Sequence, residues 1–284
     1  MEPVQTHQYF TAAVQRLRAA GVESAENDAS LIFESVLEKP RYLWEKELSA
    51  RQFSQLEEHL NRRTAREPLA YILGKMWFYG LELKARPGVF CVRPETELLV
   101  ETALTWVHDQ KLTAGTLLDL CTGSGAIALA LAAHLPKWQV TALELSPTAL
   151  ETAQENAAQL ELDVNFQTGD ATVYQPNWAQ GFQLVVSNPP YVPVRELPKE
   201  TSYEPAAAFW GGGEAGMEIP AKIIANAYRY LKPGGLLVLE HDDLQGAATR
   251  QVAAETGFVA VHTQVDLNGI DRFLVAQKPI ASKS

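Results

Sequence analysis

Short β-rich segments alternate with helical segments after Pro94, and this alternation restricts the possible folds more than any other feature of the chain. Strands that alternate with helices form a mostly parallel sheet with helices on both faces. The segments predicted as strands are residues 116–120, 140–145, 164–168, 183–187, 236–240, 258–263 and 272–276. The helical patterns lie near residues 125–134, 147–159, 217–231 and 244–256.

The last two predicted strands are joined by residues 264–271, which leave no room for a crossover helix. Strands joined in this way pair as an antiparallel hairpin. The sequence therefore predicts an α/β fold with a Rossmann-like, seven-stranded sheet in which one strand is antiparallel.

Residues 1–70 differ in character and predict a small helical bundle. We expect helices only in this part: one that starts near Ser24, and one with a capping box at Ser49 and Gln52 that continues to Arg66. The apolar residues that recur at helical spacing are Phe10, Val14, Leu17, Leu31, Ile32, Val36 and Leu37. Residues 71–88 are predicted as a hairpin linker, and residues 89–284 as the second domain.

A glycine turn follows the first predicted strand of the second domain. It contains Cys121, Thr122, Gly123, Ser124 and Gly125, which we call the glycine loop. Glycines let the backbone approach a ligand closely, and the N-terminus of a helix favours an anionic group. These residues are predicted to bind a cofactor.

Glu144 closes the next predicted strand, nineteen residues after Gly125. A carboxylate at this place can accept hydrogen bonds from two ribose hydroxyls, although it could also be a solvated acid at a helix start. Gly123, Gly125 and Ala128 also fit the pattern of nicotinamide dinucleotide sites. The loop and Glu144 alone therefore leave two classes of cofactor open.

Asn188, Pro189, Pro190 and Tyr191 follow the fourth predicted strand, and we call them the tetrapeptide. The side-chain oxygen of Asn188 and the carbonyl of Pro189 can accept the two N–H groups of a planar amide or amine. Proline fixes its own φ and restricts the residue before it, so these acceptors are held rigidly. Tyr191 offers a flat face to a flat substrate. Asn-Pro also marks ordinary loops, but this position after a strand favours methyl transfer to nitrogen.

S-adenosylmethionine is the cofactor that fits these motifs together, since a dehydrogenase has no need of two amine-hydrogen acceptors. We expect its amino-acid part against the glycine loop and its ribose on Glu144. Its adenine is predicted beside Asp170 and Ala171, and Asn188 is counted among the residues near the cofactor. All these residues follow strands, at the end of the sheet where ligands bind.

Charge and composition restrict the partners. Residues 1–86 carry twelve Lys/Arg and twelve Asp/Glu, whereas the rest of the chain carries twelve and twenty-two. Nucleic-acid binding depends on Lys and Arg at phosphates, so a duplex is not expected as the substrate. The two cysteines give neither a disulfide framework nor a metal site, and no signal or membrane-spanning pattern occurs. We expect a cytoplasmic chain without a bound metal.

The chain resembles the HemK/PrmC family, which methylates the side-chain nitrogen of a glutamine in bacterial peptide chain release factors. The resemblance covers nearly the whole length. The segments that carry it are residues 93–97 (Arg-Pro-Glu-Thr-Glu), 119–125, 188–192, 203–205 and 239–241. The first of these is the most specific, because amine methyltransferases of nucleic acids share the tetrapeptide but usually lack it.

The resemblance implies a seven-stranded methyltransferase fold and a glutamine amide that lies between the tetrapeptide and the methyl donor. Asn188 and Pro189 would accept the amide N–H groups, and Tyr191 and Phe90 would be walls of the pocket. The helical N-terminal part would help to grip the release factor. Three positions differ from the family: Cys121 where many members have glycine, Glu144 where others have aspartate, and Ala171 where some have an aromatic residue.

The hypothesis is a monomeric, S-adenosylmethionine-dependent glutamine-N5 methyltransferase that acts on the Gly-Gly-Gln motif of release factors through Asn188, Pro189, Pro190 and Tyr191. The alternatives are glutamine methylation of a ribosomal protein, amine methylation of DNA or RNA such as adenine N6, and a non-catalytic adaptor. Other features stay open. Glu95 and Glu97 decorate a helix N-terminus or shape the site, and residues 211–213 are slack or a hinge. Cys121 is interpreted as a small loop residue and His241 as a strand-end residue without a catalytic role.

Overall fold

The polypeptide folds into two units, neither of which is continuous in sequence. In the computed structural model, which describes residues 4–280, the first unit comprises residues 4–76, 85–87 and 197–203. The second comprises residues 77–84, 88–196 and 204–280. The domain bounds 1–70, 71–88 and 89–284 stay predictions, and their outer ends at residues 1–3 and 281–284 lie outside the described residues.

Helices make up most of the first unit. They are α1 (Thr6–Ala19), α2 (Ala25–Leu37), α3 (Ala50–Thr64) and α4 (Leu69–Leu73). Strand β1 (Val4–Gln5) pairs antiparallel with β2 (Glu47–Leu48). The expectation of helices alone is wrong at these strands, because two residues are too few to show the alternating pattern of a strand.

Capping and one buried ion pair fix the helices of the first unit. The predicted capping box is confirmed. The backbone N–H of Gln52 donates to Ser49 Oγ at 3.3 Å, and the backbone N–H of Ser49 donates to Gln52 Oε1 at 2.9 Å. The helix ends at Thr64, two residues before the predicted end. Arg63 Nε lies 2.7 Å from Asp28 Oδ2, and both side chains are buried. This pair joins α3 to α2.

The core of the first unit follows most of the predicted apolar stripe. Leu17, Ile32 and Leu37 are buried, but Leu31 and Val36 are only half-buried, and Phe33, which was not predicted, is fully buried. Phe33 packs edge-to-face on Phe10, with ring centroids 5.3 Å apart. A large aromatic side chain buries more apolar area than leucine, which favours its place in the core.

A distant segment, residues 197–203, completes the first unit. Glu200 pairs with Arg66, and its Oε1 lies 3.7 Å from Arg63 Nη1. The hydroxyl of Tyr203 donates to the carbonyl of Ala65 at 3.0 Å. The end of α3 is therefore held by residues that occur more than a hundred positions later in the chain.

A mixed sheet forms the centre of the second unit. Its seven strands are β5 (Gly115–Leu120), β6 (Trp138–Glu144), β7 (Asn165–Thr168), β8 (Phe182–Ser187), β9 (Leu231–Glu240), β10 (Val259–Val265) and β11 (Asp271–Gln277). The spatial order is β10-β11-β9-β8-β5-β6-β7. Strand β11 is antiparallel to both neighbours and the other pairs are parallel. The predicted α/β fold, its seven strands and its one reversed strand are confirmed.

Helices flank this sheet: α5 (Glu97–Asp109), α6 (Ala126–His134), α7 (Pro147–Leu160), α8 (Glu218–Tyr230) and α9 (Gly246–Thr256). The sequence predicted the last four, and for α5 it gave only a helix N-terminus at Glu95 and Glu97 as one of two alternatives. Strands β3 (Lys75–Phe78) and β4 (Leu81–Lys84) form the predicted hairpin. No helix among residues 4–280 is long and apolar enough to cross a bilayer.

The register of the sheet decides where the motifs meet. Leu120 at the end of β5 pairs with Ser187 at the end of β8, and the Ser187 hydroxyl donates to the Leu120 carbonyl at 2.8 Å. The glycine loop and the tetrapeptide follow these two residues. Both motifs therefore leave the sheet side by side at its carboxyl edge.

Candidate active site

The glycine loop joins β5 to α6 with two left-handed glycines. Gly123 has a φ of +58° and Gly125 a φ of +84°. A Cβ on Gly125 would make a tight contact, 3.1 Å from the Cβ of Ala153 in α7, so the close approach of α7 and the left-handed φ both favour glycine. A Cβ on Gly123 would meet nothing within 4 Å. The loop therefore has free space at Gly123, where a ligand can reach the backbone.

Hydrogen bonds hold this loop on both sides. The Thr122 hydroxyl donates to Asp119 Oδ2 at 2.6 Å, and the Asn156 amide donates to the Ser124 carbonyl at 3.0 Å. Thr122 and Ser124 are buried. The loop is thus tied to β5 and to α7, and little conformational entropy remains to be lost when a ligand binds.

Cys121 adopts a backbone conformation that favours glycine. Its φ is +64°, in the left-handed region, which gives a physical reason why glycine suits this position. Burial raises the pKa of the Cys121 thiol well above its ordinary value, and the nearby carboxylates raise it further. A protonated thiol is a poor nucleophile, so the chemistry of Cys121 is that of a small loop residue.

Glu144 lies at the end of β6 and faces the glycine loop. Its Oε2 accepts the N–H of Gly123 at 2.8 Å, and its Oε1 accepts the N–H of Ser146 at 2.8 Å. Each carboxylate oxygen has two lone pairs, so each can accept a second donor such as a ribose hydroxyl. Glu144 therefore both shapes the loop and keeps the capacity predicted for it.

Asp119, inside β5, provides a test of whether a cationic cofactor fits. Its side chain is fully buried, and Oδ1 has no hydrogen-bond partner among the described side chains. Burial raises the pKa of Asp119 to about 7. An unpaired buried carboxylate oxygen is costly unless a positive group comes near it. The ammonium group of S-adenosylmethionine has the charge that suits this place, and the residues present therefore fit this cofactor.

Strand β7 ends in a tight turn at the predicted adenine position. Asp170 Oδ1 accepts the backbone N–H of Thr172 at 2.8 Å and its hydroxyl at 2.7 Å. Ala171 is buried, and its carbonyl accepts the side-chain amide of Asn226 at 3.0 Å. Two strand spacings, about 10 Å, separate this turn from the end of β5. The adenine position is thus on the same edge of the sheet but not in direct contact with the glycine loop.

Asn188 is held by residues to which the sequence reasoning gave no part in the site. Its Nδ2 donates to the hydroxyl of Thr96 at 3.2 Å, and this hydroxyl donates to Glu240 Oε2 at 2.7 Å. Thr96 and Glu240 are both buried. Among residues 4–280, no hydrogen bond reaches Asn188 Oδ1 or the carbonyl of Pro189. The two predicted acceptors are therefore both available. Thr96 and Glu240 lie in segments that carry the family resemblance, but only their hydrogen-bond chain to Asn188 indicates a role.

The same carboxylate holds Tyr191. The phenol donates to Glu240 Oε1 at 2.9 Å, and its pKa is raised well above the ordinary value, by burial first and then by Glu240. Burial also raises the pKa of Glu240, while the hydrogen bonds from Thr96 and Tyr191 and the charge of Arg272 lower it. The Tyr191 carbonyl accepts the Gln245 amide at 2.7 Å. Tyr191 is fixed at both ends. Pro189 is buried and Pro190 half-buried.

The segment 209–216 packs directly on the tetrapeptide. Val192 N–H donates to the Phe209 carbonyl at 2.7 Å, and Gly211 N–H donates to the Val192 carbonyl at 3.1 Å. A Cβ on Gly211 would lie 2.8 Å from Tyr191 Cα, and one on Gly216 would lie 2.3 Å from the Tyr191 carbonyl oxygen. Gly211 and Gly216 are thus required for close backbone packing.

Phe90 is placed next to this segment. Its ring packs edge-to-face on Phe209 with centroids 5.5 Å apart, and the Arg93 guanidinium lies 4.7 Å from its centroid. Arg93 Nη2 in turn lies 2.7 Å from Glu204 Oε1, and the N–H of Cys91 donates to Glu204 Oε2 at 2.9 Å. Phe90 is half-buried. Phe209, on which it packs, accepts the N–H of Val192 next to the tetrapeptide, and the role of Phe90 as a wall of the pocket stays a prediction.

Other candidate residues have structural contacts. Glu97 accepts the backbone N–H of Tyr79 at 2.7 Å, a contact beyond its place at the start of α5. His241 is fully buried, and its Nδ1 lies 2.8 Å from the Asp242 carbonyl. Within the described chain, no group of three His, Cys, Asp or Glu residues could hold a metal ion.

Two family models match the chain. The PrmC N-terminal domain matches residues 8–74, and the methyltransferase small domain matches residues 80–202.

Relatives named release factor glutamine methyltransferase match over nearly the full length. The one from Bifidobacterium longum is 37% identical and covers 93% of this chain and 96% of its own length. The one from Vibrio cholerae is 40% identical and covers 94% of both chains. The one from Streptomyces coelicolor is 38% identical, over 94% of this chain and 96% of its own.

Solved structures share the fold at low identity. A methyltransferase from Pyrococcus furiosus aligns with a TM-score of 0.53 and 16% identity, over 82% of this chain and all of that one. The Thermus thermophilus 16S rRNA N2 G1207 methyltransferase, solved with AdoMet and guanosine, aligns with a TM-score of 0.53 and 22% identity, over 72% of this chain and 49% of that one. At these identities the likeness concerns the fold alone.

Proposed function

Because the chain belongs to the release factor glutamine methyltransferase family, we propose that it transfers a methyl group from S-adenosylmethionine to the side-chain nitrogen (N5) of the glutamine in the Gly-Gly-Gln motif of peptide chain release factors. The chain is a methyltransferase that depends on S-adenosylmethionine. The Gly-Gly-Gln glutamine, as the acceptor within a release factor, is the finer part of the proposal.

One observation carries the proposal: two oxygen acceptors without partners stand beside the glycine loop. Asn188 Oδ1 and the Pro189 carbonyl accept no hydrogen bond from residues 4–280, and the pairing of Leu120 with Ser187 brings them next to residues 121–125. A glutamine carboxamide has two N–H groups to offer, and each acceptor takes one. The two acceptors therefore match the two N–H groups of a glutamine side chain.

These acceptors also act on the reactivity of the nitrogen. The lone pair of an amide nitrogen is delocalised, and alkylation requires that it becomes localised on nitrogen. Acceptors that hold both N–H groups favour the state in which charge develops on nitrogen, because they are already oriented. S-adenosylmethionine, when bound, supplies an electrophilic methyl group on a sulfonium. Proximity and orientation supply on the order of 7–11 kcal/mol in well-aligned reactions.

The residues around the acceptors exclude water and orient the substrate. Tyr191, fixed by Glu240 and Gln245, is proposed as one wall and Phe90 as the other. Glu144 is proposed to hold the ribose, and Asp170 with Ala171 the adenine. The proton leaves to water after the transfer, so no strong base is required among the side chains.

We propose that the helical N-terminal part helps to grip the release factor. We also propose that the chain acts as a monomer and that it does so in the cytoplasm. The excess of acidic residues after residue 86 supports a protein as the substrate in preference to a nucleic acid.

The proposal is tested with a labelled methyl donor and three separate acceptors: a release factor, ribosomal proteins, and DNA. We expect label on the release factor, on the peptide that contains Gly-Gly-Gln, and none when this glutamine is replaced by alanine. Asn188→Ala should lower kcat about 100-fold or more, as the loss of one aligned polar contact does elsewhere, while the Kd for the cofactor changes only a few-fold. Label on DNA or ribosomal protein alone would overturn the substrate class.

A further inference from the structure

The side-chain amide of Asn188 has two ends, and only one of them serves the proposed function. Its oxygen accepts an N–H group, whereas its NH₂ would oppose the N–H groups of a glutamine carboxamide. Rotation by half a turn exchanges the two ends with almost no change of shape. A methyltransferase that uses this residue therefore needs a second contact that holds the amide with its oxygen toward the substrate.

A chain of hydrogen bonds on the other side of Asn188 fixes which end of its amide faces the substrate. The Thr96 and Tyr191 hydroxyls each donate to a different oxygen of Glu240, at 2.7 and 2.9 Å, and these two hydrogen bonds with the charge of Arg272 favour the ionised carboxylate against burial. An ionised carboxylate can only accept. The one proton of the Thr96 hydroxyl is thereby engaged, so its oxygen must act as the acceptor for its second neighbour. That neighbour is Asn188 Nδ2 at 3.2 Å. The NH₂ end is bound to Thr96, and the oxygen is left for the substrate.

Helical backbone geometry leaves the Thr96 hydroxyl free for contacts across the unit. Thr96 ends the 3-10 turn Pro94–Thr96, which runs directly into α5, and its φ of −63° and ψ of −19° are helical. The structure has no side-chain capping bond at Thr96. Its hydroxyl is fully buried and is engaged by Asn188 and Glu240 instead.

Glu240 fixes the second half of the tetrapeptide as well. Its other oxygen accepts the Tyr191 phenol at 2.9 Å, so both carboxylate oxygens receive a proton from a hydroxyl. One carboxylate at the end of β9 thus sets the direction of both hydrogen-bond chains.

We propose that Thr96 and Glu240 are positioning residues that orient the Asn188 carboxamide with its oxygen toward the nitrogen to be methylated. This inference rests on the proposed function. Neither residue touches the substrate, and both act through Asn188.

The test compares Thr96→Val with Thr96→Ser. Valine keeps the shape of threonine and removes the hydroxyl, whereas serine keeps the hydroxyl. We expect Thr96→Ser to keep kcat within about threefold, and Thr96→Val to lower kcat by about 10- to 100-fold, the range expected when a reacting group is misplaced. The KM for the release factor and the Kd for the cofactor should change less than about threefold in both variants. Equal values of kcat in the two variants would overturn the inference.

Two further measurements keep the inference testable if Thr96→Val folds poorly. Glu240→Met keeps the length of the side chain but removes both acceptor oxygens, so the Thr96 proton becomes free to be donated to Asn188 and the carboxamide can turn. In this variant kcat should fall about tenfold or more, and an unchanged kcat would overturn the inference. In ¹⁵N-labelled protein, the side-chain amide protons of Asn188, identified by their loss in Asn188→Ala, should exchange more slowly in the wild type and Thr96→Ser than in Glu240→Met. No difference in exchange would also contradict it.

These outcomes separate the inference from the proposed function. Absence of label on a release factor with the wild-type protein refutes the proposed function, and the exchange measurement then decides the orientation of Asn188 by itself. Label with the wild type, together with equal rates in Thr96→Val and Thr96→Ser, refutes the inference alone.

Discussion

Alanine in place of Gly216 should displace the tetrapeptide and slow methyl transfer. Gly216 has a φ of +68°, and a Cβ there would lie 2.3 Å from the Tyr191 carbonyl oxygen and 2.7 Å from Pro193 N. Carbon and oxygen atoms in close contact stay at about 3.3 Å or more. The backbone at Tyr191 must therefore move by about 1 Å to make room for the new methyl group.

The size of the effect follows from this displacement. A misplacement of about 1 Å at a reacting centre lowers rates by about 100-fold, and we expect a decrease of that size in kcat. Alanine in the left-handed region costs about 1–2 kcal/mol. Overpacking costs about 1–3 kcal/mol more, so the free energy of unfolding should fall by about 2–5 kcal/mol.

Gly269→Ala is the matched control. Gly269 has a φ of +78° in the turn between β10 and β11, and a Cβ there would meet nothing within 4 Å. This variant should lose only the conformational part, about 1–2 kcal/mol, and should keep its kcat. The assays are steady-state methyl transfer to a release factor and urea unfolding at 25 °C. If the two variants have the same kcat, the packing of segment 209–216 does not position the tetrapeptide, and the reasoning is refuted.

Two further predictions concern the cofactor side of the site. Glu144→Gln should weaken cofactor binding by about tenfold or more, because hydrogen bonds to a charged acceptor contribute about 1.5–3 kcal/mol each; calorimetric Kd values within twofold of the wild type would contradict this. The pKa of Asp119 is raised by burial to about 7 in the folded chain, whereas an unfolded aspartate titrates near 4. The folded state therefore keeps a proton that the unfolded state releases, and stability is lost as the pH rises from about 4 to 7. Urea unfolding across this window should show the loss in the wild type relative to Asp119→Asn, and parallel curves for the two proteins would contradict it.

The sequence predicted the fold well because most of it is governed by local patterns. The seven strands of the sheet, the reversed strand and the capping box at Ser49 each depend on residues within one short segment. Helix α5 begins at Glu97, where the carboxylates of Glu95 and Glu97 indicated a helix N-terminus only as one of two alternatives. The strands β1 and β2 depend on pairing across forty residues, which no local pattern carries.

The candidate site could be predicted only in part. Residues 121–125 and 188–191 have their own sequence signatures, and their place at the carboxyl edge follows from strand order. Thr96 and Glu240 have no such signature as a pair, because a hydroxyl and a carboxylate 144 positions apart meet only after the sheet has formed. The packing role of Gly211 and Gly216 is hidden for the same reason: a sequence shows a glycine but not the backbone that approaches it.

The discontinuous first unit has a consequence for the newly made chain. Arg63 can pair with Asp28 as soon as both are made, but its second acid and the partner of Arg66 is Glu200, which the ribosome adds about 130 residues later. At a translation rate of about 5–20 residues per second, that delay is on the order of 10 s. The helices at the N-terminus therefore emerge and begin to fold well before the acid that completes their ion pairs has been polymerised.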